Sequence, residues 1–172
     1  MHMRTSKTLL FLAIAGASSA AMAAQAEDSP PAPTVFVQKA AQDGMTEVEL
    51  GKVALRKSKN AEVRNFAQRM VTDHGKANSE LAAIAKSKGI NAPKTLDSEH
   101  KDMVKKLESA DGATFDSEYS SHMNMDHDKA IALFEAASES SDADLAGFAK
   151  KTLPIGVVPA QIARRRPSVC HC

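Results

Sequence analysis

Two Asp-His pairs carry the groups best suited to chemistry in this chain: Asp73-His74 within TDHGKA and Asp126-His127 within MDHDKA. Imidazole and carboxylate groups can hold iron, zinc or copper. Adjacent residues on a helix project about 100° apart. Neither pair can therefore close on one ion as the Glu-x-x-His elements of carboxylate-bridged bundles do. One group per helix can converge instead. Glu49 on a first helix, His74 on a second and His127 on a third form the expected metal set, with Glu47 and Met123 as secondary candidates. A fourth position left open on such an ion suits oxygen chemistry. The competing expectation keeps both imidazoles as core residues, hydrogen-bonded to a carboxylate or a backbone group, in a metal-free module for stress tolerance or envelope interaction.

A second candidate lies in HMNMDH, His122 to His127, where thioethers and imidazoles could take copper. At helical spacing Met123 shares a face with His127, and His122 shares another with Met125. The motif is thus split between two surfaces, and ordinary core filling accounts for Met123. Nucleophilic catalysis lacks support. Cysteine occurs only at Cys170 and Cys172, and no Ser lies in a Gly-x-Ser-x-Gly turn. No catalytic residue is assigned, and a binding role is favoured over an enzyme.

The elements that would position these groups read as helices. Aromatics are 4% of 172 residues and Trp is absent, so the core draws on Ala, Leu, Val, Ile and Met, which favours packed helices over a sheet. From a cap at Thr34 to about Lys59, apolar residues recur at helical period, with Gly44 and Gly51 permitting close approach of a neighbour. Asn60 caps a second helix that stops at Gly89, with Val63, Phe66, Ala67, Met70, Ala77, Leu81 and Ile84 on its stripe and His74 among them. A short crossover helix, EHKDMVKKLESA, precedes a third long one carrying Phe115, Tyr119, Met123, His127, Ile131 and Phe134 at steps of three or four. Asp142 opens a fourth, DADLAGFAKKTLP. The expected fold is all-α: an antiparallel four-helix bundle with a short crossover helix and a truncated or altered last helix.

The ends differ from this body. Residues 1–26 have a basic start at Arg4 and Lys7, a short apolar run from Leu9 to Ile14 and small-x-small sites, the three-part pattern of a secretory signal peptide. Residues 27–33 read as a Pro-rich linker and 34–154 as the helical domain. Residues 155–172, with two prolines, Arg164-Arg165-Arg166 and a terminal Cys-His-Cys, lack helical period. Their pattern suggests a shifted reading frame. Periplasmic export follows, with outer-membrane association as a variant of it, and no run approaches the roughly 20 apolar residues a bilayer needs. Removing Arg4 and Lys7 from the 22 basic residues leaves 20 against 21 acidic ones, with no basic stripe for nucleic acid. An incomplete fourth helix would leave an apolar groove that favours a homodimer.

FVQKAAQDGMTEVELGKVAL, VRNFAQRMVTDHGKANSEL, FDSEYSSHMNMDHDKAIALFE and FAKKTLP, together spanning about residues 35 to 154, resemble an exported bacterial family catalogued as domain of unknown function 4142. The resemblance implies a ferritin-like helical fold. It implies no activity, because function resides in a site and not in a fold.

Overall fold

A proline can open a helix without losing a bond, because the first N–H groups have no partner within the helix. Helix α1 (Pro33–Lys57) begins in this way, and Phe36 N–H donates to the Ala32 carbonyl at 3.0 Å. The expected cap, Thr34, lies inside the helix. The computed structural model describes residues 29–112 and 114–157, so the signal peptide expected at 1–26 and nearly all of the tail expected at 155–172 lie outside the described residues.

Asn60 caps the second rod as its sequence predicts, its Oδ1 accepting from Glu62 N–H at 2.9 Å. The rod is not uniform. It runs as α2 (Ala61–Arg69), a π-helical turn over Met70–His74, and α3 (Gly75–Ser87). The widened turn contains the first Asp-His pair, and such turns are frequent at functional sites. Thr72 donates its hydroxyl to the Gln68 carbonyl there at 2.9 Å. Gly89, at φ 67°, adopts the left-handed conformation that ends the rod.

Asp97 caps α4 (Ser98–Ser109) by accepting from His100 N–H at 3.0 Å. The third rod, α5 (Phe115–Ser138), carries the second Asp-His pair. Asp142 accepts from Asp144 and Leu145 N–H, each at 3.2 Å, and opens α6 (Ala143–Val157). This last helix passes through Pro154, the residue at which the sequence pattern ends the domain. All described elements are helical.

Helix α1 is the hub, lying against the α2–α3 rod, α4 and α5, while α6 packs mainly on α5. Two apolar clusters result. One gathers Leu50, Val53, Phe66, Met70, Leu107, Phe115, Tyr119 and Met123. The other gathers Phe36, Val37, Leu81, Ala85, Leu145 and Phe148, with Phe134 packed against it. Phe36 meets Phe134 and Phe148 edge-on, with ring centroids 5.2 and 6.3 Å apart. The described part of α6 thus covers the groove that an incomplete fourth helix would leave at this end. Both glycines of α1 do mark close approaches. A methyl group at Gly44 would sit 2.2 Å from Asn78 Oδ1, and one at Gly51 would sit 2.9 Å from the Ala67 carbonyl oxygen.

Candidate functional site

Between the two apolar clusters lies a thin polar layer. Position 47 continues the inward stripe of Ala40, Gly44 and Gly51, at steps of four, three and four, so helical geometry turns Glu47 toward the bundle axis. It is 3% exposed. Glu49 lies two residues on, about 200° around the helix. Its half-exposed side chain pairs with Lys52 at 2.7 Å. The expectation that Glu49 meets the histidines is therefore corrected: the inward carboxylate is Glu47. The stripe in the sequence already carried that signal.

His74 and His127 do share this interior. Their ring centroids are 5.8 Å apart and the rings nearly perpendicular. His74 Nδ1 lies 2.5 Å from Glu47 Oε2, and His127 Nδ1 lies 3.7 Å from Glu47 Oε1. One ligand-capable atom from each of the three residues falls within 4.8 Å of the others.

The hydrogen bonds fix which nitrogens remain available. His127 Nδ1 is 2.7 Å from the Met123 carbonyl oxygen. A carbonyl only accepts, so Nδ1 carries the proton and the neutral ring presents an unprotonated Nε2. His74 is held at Nδ1 by the Glu47 carboxylate. Nε2 of both rings is buried without a hydrogen-bond partner, as is the Tyr119 hydroxyl. Buried polar atoms nearly always find a partner in folded proteins, and here two on facing helices lack one.

Electrostatics agree with a site organised around Glu47. Burial alone would lower the His74 imidazole, but the Glu47 hydrogen bond and charge, with Asp73 adding to them, hold it above its usual range. Burial, and then the Glu47 charge, push the Tyr119 phenol up. Asp43, one turn before Glu47, is pushed up to about 6 by burial first and the Glu47 charge second, with His100 pulling the other way.

The aspartates of the two pairs have separate tasks. Asp126 does not orient its neighbour His127; its Oδ2 lies 2.8 Å from His122 Nε2, one turn away. Asp73 acts on His74 by charge, while Glu47 makes the contact. The copper candidate is dispersed: Met123 packs in the apolar core and Met125 is 55% exposed.

Two cavities flank the layer. One, of about 40 Å³, is bordered by Glu47, His74 and His127 and runs along Leu81, Phe134 and Phe148. The other, of about 120 Å³, lies toward α4, where Asp43, Glu47, Glu99, His100 and Asp126 line it with Lys129. His100 Nδ1 is 2.7 Å from Asp97 Oδ1 and its Nε2 3.6 Å from Asp43 Oδ1. Neither Asp43 nor His100 stood out in the sequence, because α1 and α4 are far apart in the chain and meet only in the folded structure.

Fold and site together define a protein whose described elements are all helical, with a buried carboxylate and two imidazoles converging from three separate segments. The family described as domain of unknown function (DUF4142) matches residues 17–158, and the chain belongs to that family. No curated protein and no solved structure matches it.

Proposed function

We propose that this is an exported protein of the bacterial envelope, built as a ferritin-like four-helix bundle, that binds one divalent transition-metal ion through Glu47, His74 and His127. The supporting observation is the convergence of these three buried groups within 4.8 Å, with Nε2 of both rings left unpartnered. Two imidazoles and one carboxylate form the donor set of open zinc centres and of non-haem iron(II) centres. The set contains nitrogen and oxygen but no sulfur, since the Met123 thioether belongs to the apolar core. Zinc and iron(II) are therefore favoured over copper(I).

The surrounding contacts suit this role. The Met123 carbonyl fixes the His127 tautomer, as outer-shell acceptors do for metal-bound histidines. Glu47 holds His74 through Oε2 and keeps Oε1 on the side of His127. A bound ion would supply Lewis acidity and at least one coordination position not occupied by the protein.

Metal analysis of protein purified from metal-replete cells tests the proposal. The expected result is close to one zinc or iron per chain. His74→Ala combined with His127→Ala is expected to empty the site while the helical circular dichroism signal is retained. Protein that stays metal-free after incubation with either ion would reject it. Under the metal-free alternative, the same substitutions would lower stability by about 1–3 kcal/mol for each buried group stranded and leave metal content unchanged.

A further inference from the structure

The smaller cavity is not an isolated void. Its walls are Leu81 on α3, Phe134 on α5 and Phe148 on α6, and its inner end is formed by Glu47, His74 and His127. Leu81 and Phe148 are buried, whereas Ala77, Ala130 and Leu153, which also line it, are partly exposed. The cavity thus extends from the polar layer toward the surface between α3, α5 and α6. The opposite apolar cluster contributes no residue to it.

We propose that this chamber binds a small uncharged molecule of two to four heavy atoms, which ligates the ion at its open position and lays its apolar remainder against Leu81, Phe134 and Phe148. The inference rests on the metal-binding reading above. Three features select the ligand. Size comes first: about 40 Å³ holds on the order of three water-sized spheres, too little for a nucleotide, a sugar or an amino acid. The walls come second: Leu81, Ile131, Phe134, Phe148 and Leu153 dominate them, with Asn78 and Thr152 as the neutral polar side chains, so a charged ligand finds little to replace its hydration. Charge balance comes third. Glu47 and Asp43 both border the chamber, so two carboxylates already match a divalent ion and an additional anion gains little. Glu47, His74 and His127 all line the chamber, so an ion held by these three residues would border it.

Nitric oxide, a neutral diatomic, is the probe for the iron(II)-loaded full chain. Iron content is measured first, and nitric oxide is then titrated anaerobically with electron paramagnetic resonance as the readout. One iron–nitrosyl signal per bound iron is expected. Azide, of similar size but charged, should bind at least tenfold more weakly. Ala130→Phe, which places a ring at the mouth, should keep iron content unchanged and weaken nitric oxide at least tenfold; Ala77→Phe provides the same test from the facing helix should the first variant fail to fold. In metal-free protein, xenon should shift the methyl and ring resonances of Leu81, Phe134 and Phe148 and leave those of Leu50 and Phe115 in place.

Protein that takes up neither iron nor zinc overturns the metal reading and this one with it, and protein that takes up zinc but no iron overturns the present inference alone. Iron-loaded protein that forms no nitrosyl, binds azide as tightly as nitric oxide, or binds nitric oxide equally in both filled variants overturns the chamber alone. Xenon shifts absent from the three wall residues would likewise overturn it.

Discussion

The two apolar halves of the bundle share three rods but are packed for different ends. On one side of the polar layer, Leu50, Phe66, Phe115, Tyr119 and Met123 close on one another, and Phe66 reaches the His127 ring at a centroid distance of 6.1 Å. On the other side, Leu81, Phe134 and Phe148 leave room beside the same two histidines. The closed half fixes where the imidazoles stand. The open half gives them something to face. A buried site needs both, because packing alone would seal it and a cavity alone would let the rings wander.

The largest test of this contrast is a pair of leucines buried to the same degree, at 0% and 1% exposure. Leu50→Ala in the closed half should cost about 4 kcal/mol, since a tightly packed site collapses poorly around the space left behind. Leu81→Ala, on the edge of existing space, should cost about 2–3 kcal/mol, the low end for such changes. Urea denaturation of the metal-free chain measures both. Equal costs would abolish the distinction between the halves.

Next in size is the pH dependence of the polar layer without metal. His74 is held above its ordinary value of 6.5 in the folded state. Its protonated form is therefore favoured by folding. The stability it contributes is complete below about pH 6.5 and disappears as pH rises through the folded value. Glu47→Gln keeps an acceptor for His74 but removes the charge, and should flatten this loss, an effect of about 1–2 kcal/mol. With metal bound the slope should reverse, because the ion competes with protons for imidazole. Melting temperatures across pH 5.5 to 8.5, roughly spanning the histidine range, follow both changes.

A smaller effect is expected at Asp43, which is raised from 3.8 to about 6. Folding favours its neutral form, so stability declines as pH rises from about 4 to about 6 and stays lowered above that range. Asp43→Asn should then stabilise the metal-free chain above pH 6 and do little below pH 4. Because 40% of the side chain is exposed, solvent screening limits the gain to about 1 kcal/mol or less. Smallest of all is Glu49→Ala, which breaks only a surface pair and should stay within about 0.5 kcal/mol. Loss of metal in this variant would return Glu49 to the site in place of Glu47.

Much of this architecture was legible in residue order. Caps at Asn60 and Asp142, the helical stripes through His74 and His127, and the close approaches at Gly44 and Gly51 follow from local rules, because helix periodicity and capping depend on neighbours within a turn or two. The split of HMNMDH between surface and core follows from the same periodicity. The choice of Glu47 over Glu49 was also encoded, in the register of Ala40, Gly44 and Gly51.

Only the tertiary structure decided the rest. The π-helical turn over Met70–His74 does not follow from the capping and periodicity rules that set the helices around it. The Glu47–His74 contact, the pairing of Asp126 with His122, the approach of His100 to Asp43 and the chamber beside Phe134 and Phe148 join segments 27 or more residues apart in most cases, or depend on which rotamer a crowded neighbour leaves free. By itself the sequence set which residues face inward. How far those inward groups stand from one another, and whether space remains among them, is a property of rods packed side by side, since distance across an interface depends on every side chain that separates the helices.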